Sequence, residues 1–196
     1  PAMADFAARV SQGHIGRARY IATNEEVRSH RSTILNLPLQ LGSIADAFKA
    51  AQTLIDLATA QANAQSEARD EKEIAALQEA YGKGATGRGM ATGGAKAVKE
   101  LEKEQKSRAT RMVRDSLDGA LLDIATFFRD VMMVQAGSTD SLINTDMTEQ
   151  ITAYAHKTTP HSTVRKVNAI MKARTHLSHN AAPLLTCEAL MCQIAN

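Results

Sequence analysis

Four aspartates, Asp115, Asp118, Asp123 and Asp130, crowd one stretch of this chain, and carboxylates held close together can do acid and base work. Each of the first two has a nearer use. Arg111 stands four residues before Asp115 and Arg114 four before Asp118, which is ion-pair spacing on a helix surface. The expectation is a solvated charged face, with a buried pair between helices as the second reading. Six histidines and two cysteines raise the question of a metal, above all His176 and His179, three apart, with Cys187 and Cys192 downstream. That spacing fits no tetrahedral pattern, so these residues read as surface or capping histidines and buried thiols, and no metal ligand is assigned.

Two glycine-flanked cations, Gly82-Lys83-Gly84 and Gly87-Arg88-Gly89, suggest a phosphate cradle. A cradle needs backbone N–H groups fixed by a strand before and a helix after, and neither GxxxxGK[ST] nor a strand is present. A flexible linker is the simpler account. The run from Lys99 to Arg108, extended by Arg111 and Arg114, could offer a basic face, but acids interrupt it and no aromatics alternate with the cations to stack on bases. It is expected to be a salt-bridged exposed helix. No nucleophile and base can be paired, so the chain is read as non-catalytic, with no catalytic residue and no cofactor.

The elements that must position these residues are helical. Ala, Leu, Met, Lys, Glu and Gln are plentiful, aromatics make up 4% with no Trp, and no stretch reads as a strand. A chain of 196 residues can bury a core without disulfides or metal. Cys187 and Cys192, five apart, fall on different sides of a helix and read as reduced core thiols, which points to a cytoplasmic protein. No apolar run is long enough for a membrane. Lys and Arg number 23 against 21 Asp and Glu, with the signs interleaved. The start at Pro1-Ala2-Met3, with no initiator methionine ahead of it, reads as a piece of something longer.

Phe6, Ala7 and Val10 share the face of a first helix that Gly13 closes, and Ile15, Ala18 and Ile21 mark a second. Thr23-Asn24-Glu25-Glu26 has the form of a capping box in which the Thr23 hydroxyl and Glu26 satisfy each other's backbone N–H, so a third helix runs from about Asn24 to before Pro38. Ser43 and Asp46 repeat the signal ahead of Ile44, Ala47, Phe48, Ala51, Leu54, Ile55 and Ala58. That helix continues, long and partly exposed, through Ile74, Leu77 and Tyr81. The Gly- and Thr-rich segment 82–95 is expected to be a mobile linker. A second long helix follows to about Gln135 and forms an antiparallel hairpin with the first. After the break at Gly137-Ser138-Thr139-Asp140, three helices are predicted over Thr148 to Lys157, Thr163 to Ser178 and Pro183 to Ala195, with Pro160 and Pro183 at or just before starts.

Within this pattern, Ser11-Gln12-Gly13-His14-Ile15-Gly16-Arg17-Ala18-Arg19 resembles the motif that opens the last lid helix of clamp-loader ATPase subunits. In ATP-binding relatives that helix carries an arginine for the nucleotide phosphates. Alignment on Gly13 and Ala18 puts Gly16 at its place, as suits the delta-prime type, which keeps the fold without hydrolysing ATP. Leu122-Asp123-Ile124-Ala125-Thr126-Phe127-Phe128-Arg129-Asp130-Val131, followed by Leu142-Ile143-Asn144-Thr145-Asp146, resembles the central helix of the delta-prime collar and its Asn-x-Asp. Arg174, Leu177, Asn180, Pro183, Leu184, Glu188, Leu190 and Met191 are similar to the R-x-x-L-x-x-N-x-x-P-x-L pattern of the last two collar helices. The arginine finger and zinc module of delta-prime ATPase domains have no counterpart here.

The resemblance implies an all-α chain with a helical lid remnant and connecting helix at 1–36. A collar bundle would follow at 37–196, interrupted by a long antiparallel helical hairpin at about 60–116 that contains the linker 82–95. It implies a non-catalytic assembly role in DNA replication, with other clamp-loader subunits as hetero-oligomeric partners, DNA reached only through the complex, and no membrane. Leu184, Leu185, Leu190, Met191 and Ile194 exceed what closing a small bundle requires and are expected to form the partner interface. The alternative is a helical-hairpin adaptor or a nucleic-acid-binding helical domain. Calorimetric titration with ATP and magnesium is expected to give no binding. Micromolar binding lost on changing Arg17 or Arg19 would show the alignment at Gly16 to be wrong.

Overall fold

The computed structural model describes residues 2–11, 13–82, 93–139 and 141–196, and all regular structure among them is helical. In chain order the helices are α1 (Ala2–Val10), α2 (Ile15–Thr23), α3 (Glu25–Asn36), α4 (Ile44–Ala80), α5 (Gly94–Gln135), α6 (Thr148–Lys157), α7 (Pro160–Ser178) and α8 (Pro183–Ala195). Short 3-10 turns at Leu37–Gln40 and Thr145–Met147 precede α4 and α6. Residues 83–92, most of the expected linker, lie outside the described residues, as do Gln12 and Asp140.

Helix starts follow the side chains able to satisfy free N–H groups, with two departures from the sequence reading. Thr23 is the last residue of α2, where its hydroxyl donates to the Arg19 carbonyl, and Asn24 is the cap of α3, its side chain accepting from the Val27 N–H at 3.3 Å. The sequence places the start of α7 at about Thr163, but Thr159 caps the helix, accepting from Ser162 at 3.2 Å, and its first residue is Pro160. Pro160 can then be the first helical residue, where it gives up no hydrogen bond. Ser43 opens α4 as expected, accepting from the Asp46 N–H at 3.2 Å and donating to its carboxylate at 2.7 Å.

Backbone contacts divide the chain into two compact units, residues 1–57 with 117–196, and residues 58–116. In the first, Leu117, Leu121, Ile124, Phe127, Phe128 and Val131 of α5 are fully buried, together with Ala47, Ala51 and Leu54 of α4 and Ile151, Ile170, Leu190 and Met191 of the last three helices. Phe127, Phe128 and Tyr154 meet edge to face with centroids 5.3 to 5.8 Å apart, the geometry their ring quadrupoles favour. A smaller cluster of Ala7, Val10 and Ile21 holds α1 to α2, with Phe6, Val27 and Ile143 against it.

The second unit is a thin antiparallel hairpin in which polar groups carry much of the pairing. Its larger apolar residues Ile74, Leu77, Val98, Leu101 and Met112 are only half-buried, whereas Gln105 is buried and donates to the Asp70 carbonyl at 3.0 Å and to Glu73 at 3.3 Å. Arg108 reaches Asp70 at 2.6 Å and Glu73 at 2.5 Å, and Arg69 closes on Glu73 at 2.8 Å. The bond from Arg108, followed by those from Arg69 and Gln105, holds the Glu73 carboxyl down to about 2 from its ordinary 4.5. A carboxyl depressed in the folded chain stabilises it above the unfolded value and loses that effect as pH falls through the folded one. The thermal midpoint of this chain should therefore fall more steeply between pH 4.5 and about 2 than that of Glu73→Gln, followed by circular dichroism. Parallel pH profiles for the two proteins would remove Glu73 from the account.

Candidate assembly surface and its polar anchor

The first unit is pinned by a chain of buried polar groups that joins α2, α3, α5 and the loop before α6. Asp123 accepts from Arg17 at 2.5 Å and from the Arg31 Nε at 3.1 Å, both at the same carboxylate oxygen. Burial raises this carboxyl above its usual range, and the two guanidinium groups pull the other way. Arg31, itself buried, also donates through Nη2 to the Asn144 side-chain oxygen and lies over the Phe6 ring at 5.8 Å. The Asn144 amide in turn donates to Thr126 Oγ1 at 3.1 Å and to Asp130 Oδ2 at 2.9 Å. Asp130, fully buried, also accepts the backbone N–H groups of Ile143 at 3.0 Å and Asn144 at 2.7 Å, and a bond from Arg129 at 2.8 Å. Each carboxylate is thus committed to holding backbone and helices in place.

The aspartate cluster divides. Asp115 is exposed and Asp118 half-exposed, as a solvated face requires, though neither forms the expected pair with Arg111 or Arg114 among the described residues. The other two are not solvated. Asp123 and Asp130 are buried, and Asp118 receives Arg174 as a fork, Nε to Oδ1 at 2.7 Å and Nη2 to Oδ2 at 2.8 Å. The buried pairing that stood second in the sequence reading is the arrangement found for Asp123. A signal for it was present: Asp123 and Asp130, seven apart, border the stripe of Ile124, Phe127 and Val131 instead of lying opposite it. Arg31 gave no such signal, because its partners are 92 and 113 residues away.

Several of the motif residues of α7 and α8 have a visible task. Arg174 ties α7 to α5, and Leu177 is buried. Asn180 adopts φ +64°, a left-handed conformation that Asn tolerates better than most residues. Its N–H returns to the Leu177 carbonyl and that of Ala181 to His176, so α7 closes as a Schellman motif before Pro183 starts α8. Gly137, at φ +79°, ends α5 with the same pair of bonds. At the far end of α8 the buried Lys166 ammonium donates to the Ile194 carbonyl, a cation at the negative pole of the helix, and burial lowers its pKa.

The five leucine, methionine and isoleucine positions expected at a partner interface separate. Leu190, Met191 and Ile194 are buried in this unit's own core. Leu184 and Leu185, in the first turn of α8, are 38% and 66% exposed. Val164 and Met171, two turns apart on α7, are also exposed apolar residues, as are Leu39 in the turn before α4 and Ile44 and Phe48 at the start of α4. Cys187 is buried, its thiol pushed up to about 12 chiefly by burial, while Cys192 is only partly buried. The His179 Nδ1 sits 2.8 Å from the Thr175 carbonyl oxygen, and among the described residues no three metal-ligating side chains converge.

Residues 113–194, from within α5 to the last turn of α8, match the family described as DNA polymerase III, delta subunit, C terminal, a clamp-loader family. Neither a curated protein nor a solved structure matches the chain. The matched span contains Asp118, Asp123, Asp130, Asn144 and Arg174, the residues that hold α5 to its surroundings. Replacing Asp130 by Ala would strand two backbone N–H groups and the Asn144 amide away from water, at about 3–5 kcal/mol. Urea unfolding should show that loss, and a midpoint unchanged from the parent chain would contradict the anchor.

Proposed function

We propose that this chain is the collar-bearing part of a clamp-loader subunit of the delta-prime type, a non-catalytic region that joins other loader subunits. The observation that carries the reading is the family match over 113–194 together with Leu184 and Leu185 standing exposed on a helix whose remaining large apolar residues are buried. Exposed leucines at the start of an otherwise buried helix are what a hetero-oligomeric contact would cover, and Val164 and Met171 add apolar surface on the adjacent α7. The delta-prime assignment rests on the amino-terminal segment. Gly16 offers no side chain for a nucleotide, and Arg17 is held by Asp123. Residues 1–36 then correspond to a lid remnant, 37–196 to the collar, and about 60–116 to an inserted hairpin.

Interface and core positions on α8 separate under charge substitution. Leu185→Glu should melt within about 2 °C of the parent chain, as a surface change does, yet fail to co-elute with the other loader subunits. Leu190→Glu places a charge in the core and should unfold the unit. A Leu185→Glu chain that assembles like the parent overturns the α8 contact, and failure of the parent chain to join any loader complex overturns the assembly reading.

A further inference from the structure

The first half of α5 carries a charge pattern that the linear sequence conceals. Between Gly94 and Ser116 it has seven cations against four carboxylates, while residues 58–80 of α4, its partner arm, have two against five. In sequence the α5 charges alternate, so they read as self-neutralising. A helix advances about 100° per residue, which sorts them around the axis. Gln105, buried against α4, marks the inward side. Lys96, Lys103 and Arg114 lie within about 20° of the opposite direction, Lys99 and Lys106 on one flank and Arg111 on the other. Glu102, Glu104 and Asp115 rotate out of this sector, leaving Glu100 as its one carboxylate, 3.9 Å from Lys96. Lys96, Lys99, Lys103, Lys106 and Arg111 are exposed, whereas Arg114 is half-buried with its Nε shielded from water, so the stripe proper ends at Arg111. Among the described residues Lys99, Lys103, Lys106 and Arg111 form no ion pair.

We propose that this outward stripe of the hairpin, centred on Lys99, Lys103 and Lys106, binds the phosphate backbone of duplex nucleic acid without reading its sequence. Along the axis the three lysines are spaced by about 4.5–6 Å, and the exposed stripe from Lys96 to Arg111 is about 22 Å long. Because each strand winds away from a straight stripe, the number of phosphates met is set by the exposed cations, about four or five of them, and not by the stripe's length. The sector contains no apolar residue, so it has nothing to insert into a lipid surface. Protein partners are matched by aromatic and Arg-rich cores from which Lys is depleted, which this stripe does not resemble. Tyr81 is the single aromatic of residues 58–116, so bases have no stacking platform and the backbone of a duplex is the fitting ligand. The stripe lies wholly within the second unit, and the proposal stands whether or not α8 contacts loader subunits.

The test is fluorescence anisotropy of a labelled duplex of about 20 base pairs titrated with the full chain between about 50 and 200 mM salt. Four or five phosphate contacts predict a slope of log affinity against log salt near −4, a loss of about two orders of magnitude across that range. Lys99→Glu/Lys103→Glu/Lys106→Glu should bind at least about tenfold more weakly and flatten the slope by roughly 3. Lys49→Glu/Lys157→Glu/Lys172→Glu, with the same change in net charge at exposed sites of the other unit, should bind like the parent chain. Circular dichroism checks each variant, and Lys99→Gln/Lys103→Gln/Lys106→Gln replaces the glutamate triple should that one unfold. The proposal is overturned by absence of binding at low salt, by equal losses in both triples, or by equal affinity for an acidic peptide of matched charge.

Discussion

Asp130 shows most directly what the first unit depends on. A carboxylate with no exposure is tolerable only when its oxygens are fully engaged, because an isolated ion in a medium of low polarity costs many kcal/mol. Here the engagement is the structure itself. The carboxylate receives the N–H groups of Ile143 and Asn144, so the loop between α5 and α6 is attached to the last turns of α5. Asn144 passes the constraint to Arg31, and Arg31 shares Asp123 with Arg17. Three amino-terminal helices with a small apolar core of their own thereby acquire a defined position against α5. Apolar burial supplies most of the stabilisation in such a unit, but it is non-directional, and the polar chain is what selects one arrangement of α2, α3 and the loop.

The carboxyl-terminal helices use the same logic at their ends. Asn180 and Gly137 take left-handed conformations that close α7 and α5, Gln135 donates to the carbonyls of Ala155 and Thr158 at the end of α6, and Lys166 serves the end of α8. With its termini satisfied locally, α8 can bury Leu190, Met191 and Ile194 and leave Leu184 and Leu185 outside. The division of that helix into core and surface is what makes a contact through its first turn physically separable from folding.

The hairpin of residues 58–116 is built differently. Gln105, Arg108, Asp70 and Glu73 form its inner seam, and alanines and partly buried leucines fill the rest. Because the packed face of α5 is narrow, its remaining circumference faces water, and the arm's excess cations collect there while the carboxylates of α4 neutralise the seam. A polar seam of this kind tolerates an outer surface chosen for charge, since that surface contributes little to holding the two helices together.

Much of this was legible without coordinates. Helix-favouring composition, the capping signal at Ser43, the prolines at 160 and 183 and the apolar repeat of α5 are local properties, set by rotamer freedom and by hydrogen bonds three or four residues away, so the all-α fold and most helix bounds could be read directly. The cap of α3 fell one residue from the Thr23 expected. The R-x-x-L-x-x-N-x-x-P pattern could be recognised from its spacing, but only the structure assigned Arg174 to Asp118 and a left-handed turn to Asn180. The fates of the four aspartates, of Arg31 and of the five apolar residues of α8 were decided tertiarily. Whether a carboxylate is solvated or a leucine buried depends on which helices pack against it, and here those partners lie as far as 113 residues away, beyond the reach of any local pattern.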